Sequence, residues 1–261
     1  MDFPLGVAFD KSGNLYAANY GGSNTISKFS SSGTYLSSFS STAPCGLAID
    51  SSGNIYAANY DIYTVSKYNS EGNYLGSITS NVSRPTGLVI DSSDSLYVAN
   101  NYNSTISKYD SSGFYQSTGS IDSSHLVGSP QGLAIDSTGN LYAATNENEI
   151  SKYDISGNFI NTIGSNLNLD APRGIALDSL GNLYVANIGS KKISKFDPSG
   201  NFVFSWSTGT AKPHYLAFKP VTVPEPSTYA LATIAAIVMA WVARHHKLEL
   251  RESAIVSQSA S

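Results

Sequence analysis

The sequence predicts an all-β fold assembled from repeated four-stranded sheets. Three observations carry that prediction. A proline-led segment recurs along the 261 residues at spacings of 40, 41, 45, 42 and 41. Each interval contains four short runs rich in β-branched and aromatic residues, separated by turn signals. No segment before residue 220 has the 3.6-residue apolar period of a helix.

The recurring segments are PLGVAFD from Pro4, PCGLAID from Pro44, PTGLVID from Pro85, PQGLAID from Pro130 and PRGIALD from Pro172. A degenerate sixth start, PHYLAFK, begins at Pro213. In the second unit the four strands read GLAID, NIYAAN, TVSKY and NYLGSI. A sheet of this size cannot bury both faces alone, yet GLAID and NIYAAN are apolar or small on both sides. Blades stacked radially supply the missing cover and leave only short edges. The expectation is therefore a β-propeller of five complete repeats plus the first strand of a sixth.

The first hairpin of each unit carries Asp-x-x-Gly-Asn or a close variant. Its aspartate (Asp10, Asp50, Asp91, Asp136 or Asp178) can hold the turn backbone, and Gly53 and its equivalents supply a positive φ. Asp94 takes the glycine position in the third unit. The third and fourth strands are joined by turns containing Gly33, Gly72, Gly113, Gly157 or Gly200. Lys28, Lys67, Lys108, Lys152 and Lys195 recur on the third strand, where a stem packed over apolar surface with its amine in water is expected. The orphan strand around His214–Phe218 would be the inner strand of a sixth blade. Its other three strands are expected from a longer N-terminus, since LGVAF at Leu5–Phe9 is already under way near Met1. The alternative is a five-bladed ring with the last strand as a lid.

Charged residues make up 13% of the chain, and the net charge is −4. Residues 1–220 hold 12 basic and 16 acidic side chains, which disfavours a nucleic-acid groove. The single cysteine, Cys45, excludes an intrachain disulfide and a cysteine-based zinc site.

The end of the sequence differs from the rest. The 18 residues between Glu225 and Arg244 carry no charge, enough for about 27 Å of helix at 1.5 Å per residue. Arg244, His245, His246 and Lys247 follow as a basic flank. The expected organisation is a propeller over 1–220, a linker over 221–228, a transmembrane helix over 229–243, and a basic cluster with a polar tail over 244–261.

The motifs P-x-G-[IL]-A-[IL]-D, G-N-[IL]-Y-[AV]-A-N and I-S-K-[FY]-D resemble NHL repeats, over residues 3–218. That resemblance implies a propeller, commonly of six blades. The family's usual Asp after the second strand is here Asn19, Asn59, Asn100 and Asn187, with Thr145 in the fourth unit. The order Pro224-Glu225-Pro226, apolar run, then Arg244 resembles the PEP-CTERM sorting signal. It implies export in a Gram-negative bacterium, inner-membrane anchoring, processing by an exosortase-type protease, and a final place on the cell surface or in the extracellular matrix.

Repeated residues serve the fold, whereas a site is asymmetric. The loops after the second strands vary and are rich in Asn and Tyr, side chains that suit sugars or protein surfaces. They nominate Asn19, Tyr20, Asn59, Tyr60, Asn100, Tyr102 and Asn187 as ligand-binding, with exopolysaccharide or surface proteins as partners. His125 is expected in solvent and His214 at the channel mouth. With no nucleophile or metal-ligand constellation, the expectation is a non-enzymatic scaffold without cofactor. The alternative is a propeller lyase or lactonase with a metal in its central channel.

Overall fold

A computed structural model describes residues 3–219, apart from 123, 126–127 and 165–167. The proposed linker, Pro224, Glu225, Pro226, Arg244 and the transmembrane segment lie outside the described residues. Within them every element is a β-strand.

Five antiparallel four-stranded sheets follow the repeats in order. Blade one contains β1 (Phe3–Phe9), β2 (Leu15–Tyr20), β3 (Thr25–Phe29) and β4 (Tyr35–Ser40). Blade two contains β5 (Pro44–Ile49), β6 (Ile55–Asn59), β7 (Thr64–Tyr68) and β8 (Tyr74–Ile78). Blade three contains β9 (Pro85–Ile90), β10 (Leu96–Asn100), β11 (Thr105–Tyr109) and β12 (Tyr115–Ile121). Blade four contains β13 (Pro130–Ile135), β14 (Leu141–Thr145), β15 (Ile150–Tyr153) and β16 (Phe159–Ile163). Blade five contains β17 (Pro172–Leu177), β18 (Leu183–Asn187), β19 (Lys192–Phe196) and β20 (Phe202–Ser207).

The hairpin aspartates act in the turns. Asp50 Oδ1 accepts the backbone N–H of Ser52 (3.0 Å) and of Asn54 (2.8 Å). Its Oδ2 accepts the Asn54 amide (2.8 Å) and the Tyr56 hydroxyl (3.4 Å). The same pattern surrounds Asp178, and both carboxylates are buried. Asp94 adopts φ 60° and reaches into blade two, where its carboxylate accepts the Ser51 N–H at 2.8 Å. The recurrent lysines differ from expectation. Each ammonium sits over the second-strand tyrosine, from 4.8 Å (Lys67 on Tyr56) to 5.2 Å (Lys28 on Tyr16). The ring's negative face attracts the cation that the stem carries past it.

The cores lie between blades. The third-strand aromatic reaches back to the preceding blade: Tyr68 packs on Phe39 at 5.1 Å and donates to Ser41 Oγ at 3.1 Å. Tyr109 donates to the Ser80 carbonyl (2.6 Å) and Tyr153 to the His125 carbonyl (3.0 Å). Phe196 joins Ile163 and Leu169 in one cluster.

The inner strands β1, β5, β9, β13 and β17 pack in sequence, touching backbone to backbone at glycine. A Cβ added to Gly46 would overlap the Thr86 carbonyl, and one on Gly132 the Arg173 carbonyl. After β17 the backbone of His214–Leu216 takes the next place, against Gly174. This segment is not the strand expected from the sequence, because among the described residues no second strand pairs with it. It nevertheless bridges the ring's ends. Phe218 packs edge-on to Tyr184 of blade five at 5.0 Å, and Lys219 Nζ donates to the Ser31 carbonyl of blade one at 3.0 Å. Six places surround the axis, five filled by four-stranded blades. At blade one Asn19 and Ser27 are only half-buried, whereas Asn59, Asn100, Asn187, Ser66 and Ser107 are buried.

Gly132→Ala is expected to lower stability by about 2–3 kcal/mol, since the added methyl meets backbone that cannot rotate away. Asp178→Ala should cost roughly 2–3 kcal/mol by leaving buried donors without an acceptor. Urea denaturation midpoints of both variants against wild type check the two values.

Candidate functional site

Each inner strand breaks register just after its proline. In β1 the pairing jumps between Pro4 and Gly6, and in β5 between Pro44 and Gly46. Comparable breaks follow Pro85, Pro130 and Pro172. Such a bulge frees the intervening side chain from the ladder and re-aims it. The residues in question are Leu5, Cys45, Thr86, Gln131 and Arg173, and all five line one cavity on the axis. Tyr215, from the sixth place, Tyr20, from the end of β2, and Tyr60 and Asn101, just after β6 and β10, complete the lining. The proline end of each inner strand pairs with the asparagine end of the second strand (Pro44 with Asn59), so this is the face of the variable loops.

The cavity has a volume of about 260 Å³, just below the roughly 300–1,000 Å³ of small-molecule sites. Two larger hollows, of about 400 and 360 Å³, lie off the axis. Both are lined largely by strand and turn residues of neighbouring repeats, Leu75 with Phe114 in one and Leu169 with Phe202 in the other.

The lining divides by chemistry. Cys45 Sγ donates to the Pro85 carbonyl at 3.2 Å, and burial pushes its thiol up to about 12, so it is no nucleophile near neutral pH. Thr86 Oγ1 donates to the Pro130 carbonyl at 3.2 Å. These two side chains knit inner strands together. Arg173 donates from Nη1 to His214 Nδ1 at 3.3 Å, which requires a neutral imidazole with its proton on Nε2. Burial, reinforced by Arg173 and Lys212, moves His214 below its ordinary 6.5. The Tyr20 hydroxyl donates to Asp61 at the rim, 3.3 Å from one oxygen. Burial and then the Asp61 charge push its phenol up, so it stays a donor. Arg84 lies across Tyr60 (5.6 Å) and Tyr102 (5.5 Å).

The nominated residues separate accordingly. Tyr20 and Tyr60 line the cavity, and Tyr102 is 71% exposed beside it. Asn59, Asn100 and Asn187 do not present their amides to the loop surface: all three are fully buried. Asn59 Nδ2 donates to Ser66 Oγ at 2.7 Å, and Asn187 Oδ1 accepts the Asp170 N–H at 3.0 Å. They tie strand ends to neighbouring strands and connections because each stands on the last ladder position, not in the loop. Asn19 is bonded in the same way, to Ser27 at 2.9 Å, but is half-buried. His125 is exposed on a connection, bonded to Asp122 at 2.8 Å. Sequence reasoning missed Leu5, Cys45, Thr86, Asn101, Gln131, Arg173 and Tyr215. Five of these seven occupy the one variable position of the P-x-G motif, and that variation was the available signal. Among the described residues no three His, Cys, Asp or Glu side chains are grouped to hold a metal, and the donor set at the cavity does not fit the channel metal of the alternative reading.

The NHL repeat family model matches residues 82–109, which include β9, β10 and β11. No curated protein matches the chain. Among solved structures, the chain is similar to virginiamycin B lyase from Staphylococcus aureus at 18% identity and TM-score 0.67, covering 81% of this chain and 73% of that one. A streptogramin B lyase gives 20% identity and TM-score 0.68, over 81% and 72%. A propeller in a nidogen/laminin complex gives 16% and 0.67, over 79% and 80%. At these identities the likeness is one of fold. It corrects the expectation of a non-enzymatic protein, because the same frame carries enzymes as well as a binding protein.

The His214 shift has a consequence for stability. Above pH 6.5 neither folded nor unfolded chain protonates this imidazole. Below it the unfolded chain takes up a proton that the folded one resists, so stability falls until the pH passes the depressed folded value. His214→Gln should flatten the decline of the urea midpoint below pH 6.5 relative to wild type.

Proposed function

We propose that the propeller is a ligand-binding module that takes part of an extracellular polymer, an exopolysaccharide first and a surface protein second, at the mouth of its channel. One observation supports this most directly. The only position that varies within the repeated P-x-G motif delivers its side chains from all five blades to a single cavity. Around that cavity Tyr60, Tyr102, Asn101 and Gln131 offer flat rings and amides. The order of residues 224–247 supports a cellular context: export, anchoring in the inner membrane of a Gram-negative bacterium, and release at the surface by an exosortase-type protease acting near Pro224-Glu225-Pro226.

A second reading assigns the same cavity a lyase activity. It is favoured by the shared frame with virginiamycin B lyase and by a histidine, His214, hydrogen-bonded to the cavity-lining Arg173. A catalytically inactive histidine-to-alanine variant of that enzyme, solved with quinupristin, has the same fold as this chain at 16% identity and TM-score 0.67.

A variant carrying Tyr60→Ala, Asn101→Ala and Gln131→Ala is expected to lose at least about tenfold in retention on purified exopolysaccharide, as truncation of central contacts does. Equal retention of this variant and wild type would remove the binding reading. Incubation with quinupristin, followed by mass spectrometry, tests the second: consumption by wild type and none by His214→Ala supports it, and an intact compound in both rejects it.

A further inference from the structure

We infer that the group entering the channel is the carboxylate of an acidic sugar, a uronate, held by Arg173; this rests on the reading of the cavity as a ligand site. Among the described residues Arg173 is the only charged side chain of the cavity lining. It is half-buried and belongs to none of the three ion pairs found among the described residues. Among the described residues its side-chain hydrogen bond is to a neutral imidazole, His214 Nδ1. A guanidinium has five N–H donors, so donors beyond the one given to His214 remain for a ligand on a side chain that lines a concave site. A cation drawn partly out of water without a counter-ion is costly. An incoming carboxylate reverses that cost, because its two oxygens match the planar fork bidentately.

The nearby acid does not do this work. Asp61 is exposed at the rim, where it accepts the Tyr20 hydroxyl at 3.3 Å and is screened by water. The other lining groups decide which kind of carboxylate. Phenols and amides from Tyr20, Tyr60, Asn101 and Gln131 can meet ring hydroxyls, and Leu5 is the one aliphatic side chain. A volume of about 260 Å³ suits one ring-sized unit better than a peptide end with its side chains. Outside, Arg84 lies over Tyr60 and Tyr102 and offers a second cation to the next acidic unit of a polymer.

The test is calorimetric titration of the full-length protein with trigalacturonate and with its fully methyl-esterified form, which has the same backbone without the charge. The acid should bind at least about tenfold more tightly than the ester, as charge-assisted bidentate pairs are stronger than neutral ones. Arg173→Gln should bring the acid down to the ester's level, and Arg173→Lys should fall between. Circular dichroism melting confirms that the variants fold, and the wild-type comparison of acid with ester stands even if they do not. Equal binding of acid and ester, or an acid preference that survives Arg173→Gln, overturns this inference and leaves the ligand site in place. Binding of an acidic peptide but of neither trimer also overturns it. Failure of both trimers together with unchanged polysaccharide retention in the triple variant overturns both readings.

Discussion

The structure depends on how closely the inner strands approach one another. At Gly46 and Gly132 the backbone of one blade touches the carbonyl of the next, and no side chain fits between them. That contact sets the spacing of the blades and leaves the axis little room. A bulge beside each glycine then turns one residue per blade out of the ladder and towards the axis. The cavity is thus a by-product of the packing rule. Its shape follows from the glycines, and its chemistry from their neighbours.

What repeats is consumed by the fold. The hairpin aspartate, the second-strand tyrosine and the third-strand lysine form one stacked unit, in which the carboxylate holds the turn and the ring carries the ammonium. The third-strand aromatics fill the spaces between blades, and burial of each such side chain stabilises by about 1.5–3 kcal/mol. Five of the lysines that give the chain its positive charge are therefore engaged away from the axis. Arg173 is left as the cation of the channel.

Most of the fold was legible because the propeller writes its rules once per blade. Proline, glycine and aspartate mark each inner strand and its turn, and five copies outweigh a substitution such as Asp94. Parts of the site were less legible. Asn59, Asn100 and Asn187 look like loop residues, since they border variable segments, but the ladder extends through them and their amides turn inward. Gln131 and Arg173 lie inside a motif whose regularity reads as purely structural, and only the register break shows that the middle residue escapes the sheet. The lysines' resting place on tyrosine rings needs the cross-strand register, Lys67 opposite Tyr56, which spacing alone does not give.

Five near-identical blades around an axis would offer a ligand a near-symmetric ring, and such a ring has no means of orienting an asymmetric molecule. Two features remove the symmetry. The bulged positions run from Leu5 through Cys45, Thr86 and Gln131 to Arg173, so polarity rises around the ring towards blade five. At the sixth place a single segment replaces a blade, and Tyr215 stands where the other units have glycine. Elsewhere the glycine is required because a side chain would meet the backbone of the next inner segment, whereas Tyr215 puts its side chain into the lining of the cavity. The same segment supplies His214, whose neutral ring orients the Arg173 guanidinium without cancelling its charge. The break in the repeat and the charge in the channel thus sit side by side. A degenerate sixth unit gives the ring a polar end, and with it a direction in which a charged ligand can be read.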